Sequence, residues 1–184
     1  MPTSLIILIV VAVILVLIYN SLVSKKNQVA NIFASVETIL KKRYDLIPNL
    51  VASVNKYMQH EKSLLEEVTK LRANANKPNI SDAQKIALDA KVSSTIDSIM
   101  VAIENYPELK ANENVMHLQH SINEIEEQIS AARRAYNQAV TDYNNAIEMI
   151  PTNFMAKAMN YKEKELFEIP SHERQNISIK ELFN

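Results

Sequence analysis

The feature that most constrains this chain is an unbroken apolar run, LIILIVVAVILVLI, from Leu5 to Ile18. Extended to Val23, the segment has 19 residues and is interrupted only near its end by Tyr19, Asn20 and Ser21. At 1.5 Å per residue a helix of this length measures about 28 Å, close to the ~30 Å hydrocarbon core of a bilayer. Residues 5–23 therefore predict a transmembrane helix, with the lipid bilayer as its partner and Tyr19 at the interface.

Two other interpretations of this run are possible. A signal peptide would begin with basic residues and end in a small-residue cleavage site. No Lys or Arg precedes the run, and the following YNSLVSKK contains no A-x-A pattern. A buried helix of a soluble protein would usually keep one polar face, which 14 consecutive apolar residues do not provide.

Basic residues beside the span predict its orientation. Lys25 and Lys26 follow the span at once, and none precedes it. Because basic residues are retained on the cytoplasmic side, we expect a single-pass cell-membrane protein with the N-terminus outside. Residues 1–23 would then form the extracytoplasmic tip and the membrane helix, and the C-terminal domain would be cytoplasmic.

The composition favours an all-α protein without thiol chemistry. The 184 residues include no Gly and no Cys. Without glycine, turns that need positive φ must use Asn or Asp, which disfavours sheets and phosphate-binding loops but not long helices. The lack of Cys excludes disulfides, thiolate metal sites and Cys nucleophiles. The formal net charge of -1 gives no electrostatic reason to expect nucleic acid as a partner.

Prolines and apolar stripes divide the rest of the chain into four predicted helices. The first leaves the membrane and ends near Tyr44; Asp45 is a candidate N-cap for the second, with Pro48 in its first turn. The second has an apolar heptad stripe from Ile47 to Leu71, broken chemically only by Glu61. A linker is predicted over residues 74–80.

The last two predicted helices carry clear start and stop signals. Ser81 and Gln84 form a capping box before the third helix, which stops near Tyr106. The fourth helix, residues 108–150, carries a stripe that holds for about five heptads: Val115, Leu118, Ile122, Ile125, Ile129, Ala132, Tyr136, Ala139, Tyr143, Ile147 and Ile150. The predicted fold is an antiparallel four-helix bundle of long, coiled-coil-like helices over residues 24–169, with a short terminal helix, and a polar tail over residues 170–184.

No catalytic, cofactor-binding or metal-binding residues are predicted. His60-Glu61 resembles the start of a zinc-protease motif, but the second His would have to stand at position 64, which is Leu. His117 and His120 lie three residues apart, near Glu113, and could form a partial metal site, although a solvated helix flank is the more ordinary interpretation. We expect a non-enzyme without cofactors or an evident small-molecule substrate.

Three further features have alternative interpretations. Tyr136-Asn137 and Tyr143-Asn144 recur seven residues apart, so the rings fill the core while the amides flank it, or the Asn residues form a polar layer that fixes helix register. Arg133 and Arg134 form either a salt-bridged surface or a partner-binding pair. After Pro151, the apolar face of Phe154, Met155, Ala158 and Met159 either closes the bottom of the bundle or lies on an anionic leaflet.

Several blocks resemble the LemA family of bacterial membrane proteins. In order they are YNSLV, KKRYDLIPNLV, HEK, ENYPELKANEN, ARRAYN and AVTDYN, followed by Pro151. The resemblance covers residues 19 to about 168, except that the family often has aromatic and glycine residues where Ala158-Met159-Asn160 stand. It implies a bacterial, membrane-anchored four-helix bundle without established enzymatic activity.

The expected function follows from the absence of visible chemistry and the presence of an anchor. We expect a membrane-anchored helical scaffold or adaptor at the cytoplasmic face, which acts through a protein partner or self-association. The alternative is a self-assembling homo-oligomer that organises or remodels the membrane.

Overall fold

The computed structural model describes residues 2–167, and this part of the chain is helical without strands. The predicted all-helical class is therefore confirmed. The elements are α1 (Thr3–Val54), α2 (Lys62–Ala75), α3 (Asp82–Ile103), α4 (Pro107–Lys110), α5 (Glu113–Glu148) and α6 (Thr152–Ala158). The predicted polar tail, residues 170–184, lies outside the described residues.

The predicted break near Tyr44 is wrong, because α1 continues through Pro48 to Val54. Proline has no N–H to donate, so within a helix it leaves the carbonyl four residues earlier without its usual donor. That carbonyl belongs to Tyr44, and it accepts a hydrogen bond of 2.9 Å from the Arg72 Nε of α2. A side chain 28 residues away thus replaces the missing backbone donor, and the helix persists.

The predicted second helix is also divided where the sequence suggested continuity. The chain leaves helical geometry after Val54 and resumes it only at Lys62. The Val54 carbonyl closes the turn by accepting the N–H groups of Tyr57 and Met58, and Met58 is fully buried. The heptad spacing from Ile47 to Leu71 did not reveal this turn because a loop of suitable length preserves the apolar register on both sides.

The connection between α2 and α3 follows the sequence prediction closely. The Ser81 hydroxyl accepts from the Gln84 N–H, and the Gln84 side chain accepts from the Ser81 N–H, which completes the predicted capping box. Asn79 in the linker has a φ of 65°. Asparagine therefore occupies a left-handed position that glycine commonly takes, as the glycine-free composition predicted.

The predicted fourth helix is two helices, α4 and α5. The break falls at Ala111 and Asn112, where the Asn112 Oδ1 accepts the N–H groups of Asn114 and Val115 and so caps α5. As a result α5 has 36 residues rather than 43, which makes it about 54 Å long. Ile150, predicted to end its buried stripe, lies beyond α5 and is 77% exposed.

The described residues fall into two compact units. Unit 1 contains residues 2–41 and 125–166, and unit 2 contains residues 42–124 and 167. In unit 1, the Phe33 ring of α1 lies 5.4 Å from the Tyr136 ring of α5 between centroids. The buried apolar residues of unit 1 repeat at helical spacing on both helices: Leu22, Val29, Phe33, Val36 and Leu40, and Ile129, Tyr136, Ala139, Val140, Tyr143 and Ile147.

Unit 2 has its own core, in which α2 and α3 pack against each other. Its buried apolar residues come from every helix of the unit: Tyr44, Ile47, Leu50, Val54, Met58, Leu65, Val68, Leu71, Ile86, Val92, Ile96, Ile99, Ile103, Leu109, Val115 and Ile122. Of the heptad stripe predicted from Ile47 to Leu71, the positions Ile47, Leu50, Val54, Val68 and Leu71 are therefore buried, although the helix boundaries differ.

Candidate membrane-facing site

The apolar run of α1 is left uncovered by the fold of unit 1 from Leu5 to Leu17. The large apolar side chains from Leu5 to Leu17 are 41–67% exposed, whereas Leu22, one turn beyond the run, is fully buried. In residues 2–167, α1 alone is long and apolar enough to cross a bilayer. The predicted anchor is compatible with this helix, because such a surface would be unfavourable in water.

A short connection, residues 149–151, joins α5 to α6 in unit 1. Helix α5 ends at Glu148, and α6 begins at Thr152, as the predicted short terminal helix requires. The Thr152 hydroxyl donates to the carbonyls of Ala146 and Met149, 2.5 and 2.8 Å away. The Asn153 N–H also donates to the Met149 carbonyl. These bonds hold α6 directly against the last turn of α5.

Helix α6 ends in a Schellman motif. The Tyr161 N–H donates to the Ala156 carbonyl, and the Asn160 N–H donates to the Lys157 carbonyl. Asn160 has a φ of 52°, the left-handed conformation for which glycine is preferred at this position. Asn160 therefore takes, in this glycine-free chain, a position that glycine commonly occupies.

Two residues of the AVTDYN block on α5 form hydrogen bonds with the segment that follows α6. The Tyr143 hydroxyl donates to the Lys162 carbonyl over 3.1 Å. The Asn144 side chain donates to the Lys164 carbonyl and accepts the Lys164 N–H, both over 3.0 Å. Tyr143 is buried, so the core position predicted for its ring is confirmed. The Asn144 side chain binds the backbone of the segment that follows α6.

Two more contacts place Tyr161 beside the basic end of the membrane run. Its ring centroid lies 6.0 Å from that of Tyr143 and 5.0 Å from the Lys26 Nζ. Burial of Tyr143, and to a lesser degree the neighbouring Tyr161, raise the pKa of Tyr143 above its usual range. The segment that leaves α6 therefore returns to the level of Lys26, where the span ends.

An apolar groove separates α6 from the membrane run of α1. Its volume is about 410 Å³, and it is lined by Val11, Ile14, Leu15, Ile18, Pro151, Phe154, Met155 and Ala158. The predicted apolar face of α6 thus supplies three of these residues. Phe154 remains 67% exposed, and the neighbouring Met149 and Ile150 are 63% and 77% exposed. This groove and its rim form an uncovered apolar surface in unit 1 next to the span.

Unit 2 contains a buried ionic cluster that the sequence analysis did not identify. Arg43 of α1 is fully buried, as is Asp89 of α3. The guanidinium pairs with the Asp89 carboxylate and donates to the Ser93 hydroxyl over 2.7 Å. The signal was present, because Arg43 continues the three- and four-residue spacing of Leu40 and Ile47.

Glu61 and Tyr106 bring together the HEK and ENYPELKANEN blocks within unit 2. The Tyr106 hydroxyl donates to the Glu61 Oε2 over 2.8 Å. This hydrogen bond, together with desolvation and the Glu61 charge, raises the pKa of Tyr106 above its usual range. Glu61 was predicted to interrupt the apolar stripe of a continuous helix. It instead lies immediately before α2, and its bond to Tyr106 connects the start of α2 to the turn that follows α3.

The His residues and Glu113 considered above lie at the surface of the described part of the chain. His60, His117 and Glu113 are exposed, and the His120 Nδ1 lies 3.7 Å from a Glu124 carboxylate oxygen at the surface. Within residues 2–167, no three His, Cys, Asp or Glu side chains are grouped so as to hold a metal ion.

The two arginines of the ARRAYN block differ. The surface position predicted for Arg133 is wrong, because its side chain is only 7% exposed. Arg134 is exposed, and its guanidinium donates to the Ser130 hydroxyl over 2.8 Å. The two adjacent residues point differently because helix positions one residue apart lie about 100° apart around the axis.

Comparison with known proteins agrees with these motifs. The family model described as the LemA family matches residues 32–180. Protein LemA of Metamycoplasma hominis is 24% identical over 165 residues, which covers 90% of this chain and 75% of that protein.

Two magnetosome proteins are also similar over a shorter region. Magnetosome protein MamQ 2 of Paramagnetospirillum magneticum is 28% identical over 83 residues, covering 45% of this chain and 30% of the relative. Magnetosome protein MamQ of Magnetospirillum gryphiswaldense is 24% identical over 82 residues, with the same coverage. The chain thus spans less than a third of the length of these magnetosome proteins.

The family model covers most of the chain, and its range contains the blocks whose side chains make the contacts described above in both units. Together with the long apolar start of α1, this similarity indicates a membrane-anchored helical protein. The chain belongs to the LemA family.

Proposed function

We propose that this protein is a membrane-anchored, non-enzymatic scaffold or adaptor, whose helical domain lies at the cytoplasmic face of a bacterial membrane. The observation that carries the proposal is the continuity of α1. One helix of 52 residues contains both the exposed apolar run and buried core positions. An anchor joined to a folded region by unbroken helix holds that region close to the bilayer.

The arrangement of polar groups also supports a role in binding rather than catalysis. The ionic cluster of Arg43 and Asp89 is buried, and the Tyr143 and Asn144 bonds are made to backbone groups. Such contacts stabilise a fold. The antiparallel four-helix bundle predicted from the sequence is part of this proposal, with α1, α2, α3 and α5 as its long helices.

In-cell crosslinking of the full-length protein, followed by purification and mass spectrometry, tests the scaffold function. We expect one distinct protein to be recovered with the chain in stoichiometric amount, and to be lost when the α1 run is retained but residues 42–124 are replaced. Large homo-oligomers without a second protein would contradict the scaffold and favour the alternative, a self-assembling protein that organises the membrane.

The orientation can be tested separately. Lys25 and Lys26 follow the apolar run. Because basic residues beside a membrane span stay on the cytoplasmic side, they predict that the domain is cytoplasmic. A reporter active only in the cytoplasm should be active when fused after Asn184, and a reporter active only after export should be silent. Changing Lys25 and Lys26 to Glu should weaken this preference. Activity of the exported reporter in the unaltered protein would reverse the proposed orientation.

A further inference from the structure

We propose that the elbow of residues 149–159 inserts into the bilayer beside α1, and that lipid acyl chains occupy the groove between α6 and the membrane run. This inference rests on the membrane anchoring of the proposed function and adds a second element in contact with lipid. It commits to acyl chains as the occupant because the wall opposite α6 is part of the span itself.

The position of the groove along α1 gives the depth at which it lies in the bilayer. Its α1 residues extend from Val11 to Ile18, that is, 14 to seven residues before Lys25. At 1.5 Å per residue, they lie about 10–21 Å along the helix from Lys25. Since the hydrocarbon core is ~30 Å thick, a span with Lys25 at the membrane interface places the groove in the apolar interior, within reach of acyl chains.

The side chains of the elbow fit that environment. Met149, Ile150 and Phe154 are each more than 60% exposed, and they adjoin the groove formed by Pro151, Met155 and Ala158. In water this exposed surface would be unfavourable, whereas in lipid it would be solvated. From Met149 to Met159 the sequence contains one charged residue, Lys157, and a lysine can extend its ammonium towards the headgroups.

Several backbone groups of the elbow are paired in the way that a bilayer requires. Polar backbone groups inside the hydrocarbon must be paired within the protein. The elbow carbonyls of Met149, Ala156 and Lys157 accept backbone N–H groups through the start of α6 and its Schellman end. Pro151 adds no N–H that would need a partner.

The limits of the inserted segment are marked by polar residues. Beyond α6, Tyr161 lies against Lys26, and the charged sequence Lys162-Glu163-Lys164-Glu165 follows. An aromatic residue next to a basic one is typical of the membrane interface. The chain therefore enters the bilayer beside α1 after Glu148 and returns at Tyr161 to the interface from which it entered.

Tryptophan quenching in nanodiscs tests this inference. The chain contains no Trp, so each introduced Trp is a unique probe. Full-length Phe154→Trp would be reconstituted in phosphatidylcholine–phosphatidylglycerol nanodiscs with or without bromine on the acyl chains. Leu8→Trp, which replaces a 67% exposed residue of the span outside the groove, is the matched control, and Met116→Trp, which replaces a 47% exposed residue of unit 2, is the control outside the span.

We expect bromine to quench Phe154→Trp about as strongly as Leu8→Trp and to leave Met116→Trp unchanged. Quenching of Leu8→Trp alone would overturn the elbow insertion while leaving the anchor intact. Loss of quenching in both would contradict the anchor itself. A blue-shifted but unquenched Phe154→Trp would mean that protein, a second copy included, covers α6, and would likewise overturn the proposal.

Cysteine accessibility gives an independent measurement. The chain contains no Cys, so Ile150→Cys and Val101→Cys each offer one thiol; both positions are more than two-thirds exposed. In nanodiscs, which leave both faces open, a charged maleimide should label Val101→Cys and not Ile150→Cys until the disc is dissolved in denaturing detergent. Equal labelling of the two variants in intact discs would overturn the insertion of the elbow.

Discussion

Replacing Ile129 by Asp should unfold unit 1 or lower the melting temperature of the protein by about 10 °C or more. Ile129 lies on α5 and is fully buried. The substitution loses the burial of an apolar side chain, about 1.5–3 kcal/mol, and removes a carboxylate from water, which costs several kcal/mol more even though the buried Arg133 lies one turn away. The sum approaches the whole stability of an ordinary domain, roughly 5–15 kcal/mol.

The matched control is the neighbouring Gln128→Asp, which adds the same charge at an exposed position of the same helix. Surface substitutions of this kind usually change stability by no more than about 0.5 kcal/mol. Circular dichroism of the full-length protein in mild detergent, followed on heating, measures both variants. Equal shifts in melting temperature would mean that the buried stripe of α5 is not the one described.

Breaking the ionic cluster of unit 2 should have a comparable effect. In Asp89→Leu, the fully buried guanidinium of Arg43 loses the carboxylate with which it is paired. Removing one partner of a buried pair costs about 3–5 kcal/mol, because the remaining charge stays in a region of low dielectric constant. We therefore expect a large decrease in the free energy of unfolding, measured by urea titration.

Two further variants separate the buried charge from other effects of the substitution. The double variant Arg43→Met with Asp89→Leu removes both charges and should recover most of the lost stability, since apolar replacement of a buried pair is often neutral. Glu104→Leu breaks an exposed pair, in which Lys110 Nζ lies 2.6 Å from Glu104 Oε2, and should cost at most about 1 kcal/mol. A double variant as unstable as Asp89→Leu would contradict the ionic explanation.

The local features of the fold were predictable because their causes are local. The capping box of Ser81 and Gln84 involves residues three apart, and the backbone N–H of each donates a hydrogen bond to the side chain of the other. The absence of glycine led to the expectation that asparagine would adopt positive φ, and Asn79 and Asn160 do so. The apolar periodicity of α5 likewise identified Ile129, Tyr136 and Tyr143 as buried residues.

The errors arose where a distant residue decided the outcome. Proline within the chain favours a helix boundary, and Pro48 was interpreted in that way. The continuity of α1 depends on Arg72, which supplies the Tyr44 carbonyl with a hydrogen bond. Arg43 was overlooked because a charged residue at an apolar position of a stripe is unfavourable until Asp89 and Ser93, nearly 50 residues later, are brought against it.

The sequence by itself determined that this chain has a helix long and apolar enough to span a bilayer, where that helix's polar flank begins, and which faces of the later helices are buried. These properties depend on length, composition and spacing within a single helix. Only the tertiary structure decided that α6 lies beside Val11–Ile18 of the span, since that placement depends on Tyr143 and Asn144 holding the returning backbone. Hydrogen bonds between residues 19 or 20 positions apart leave no periodic signal in the sequence.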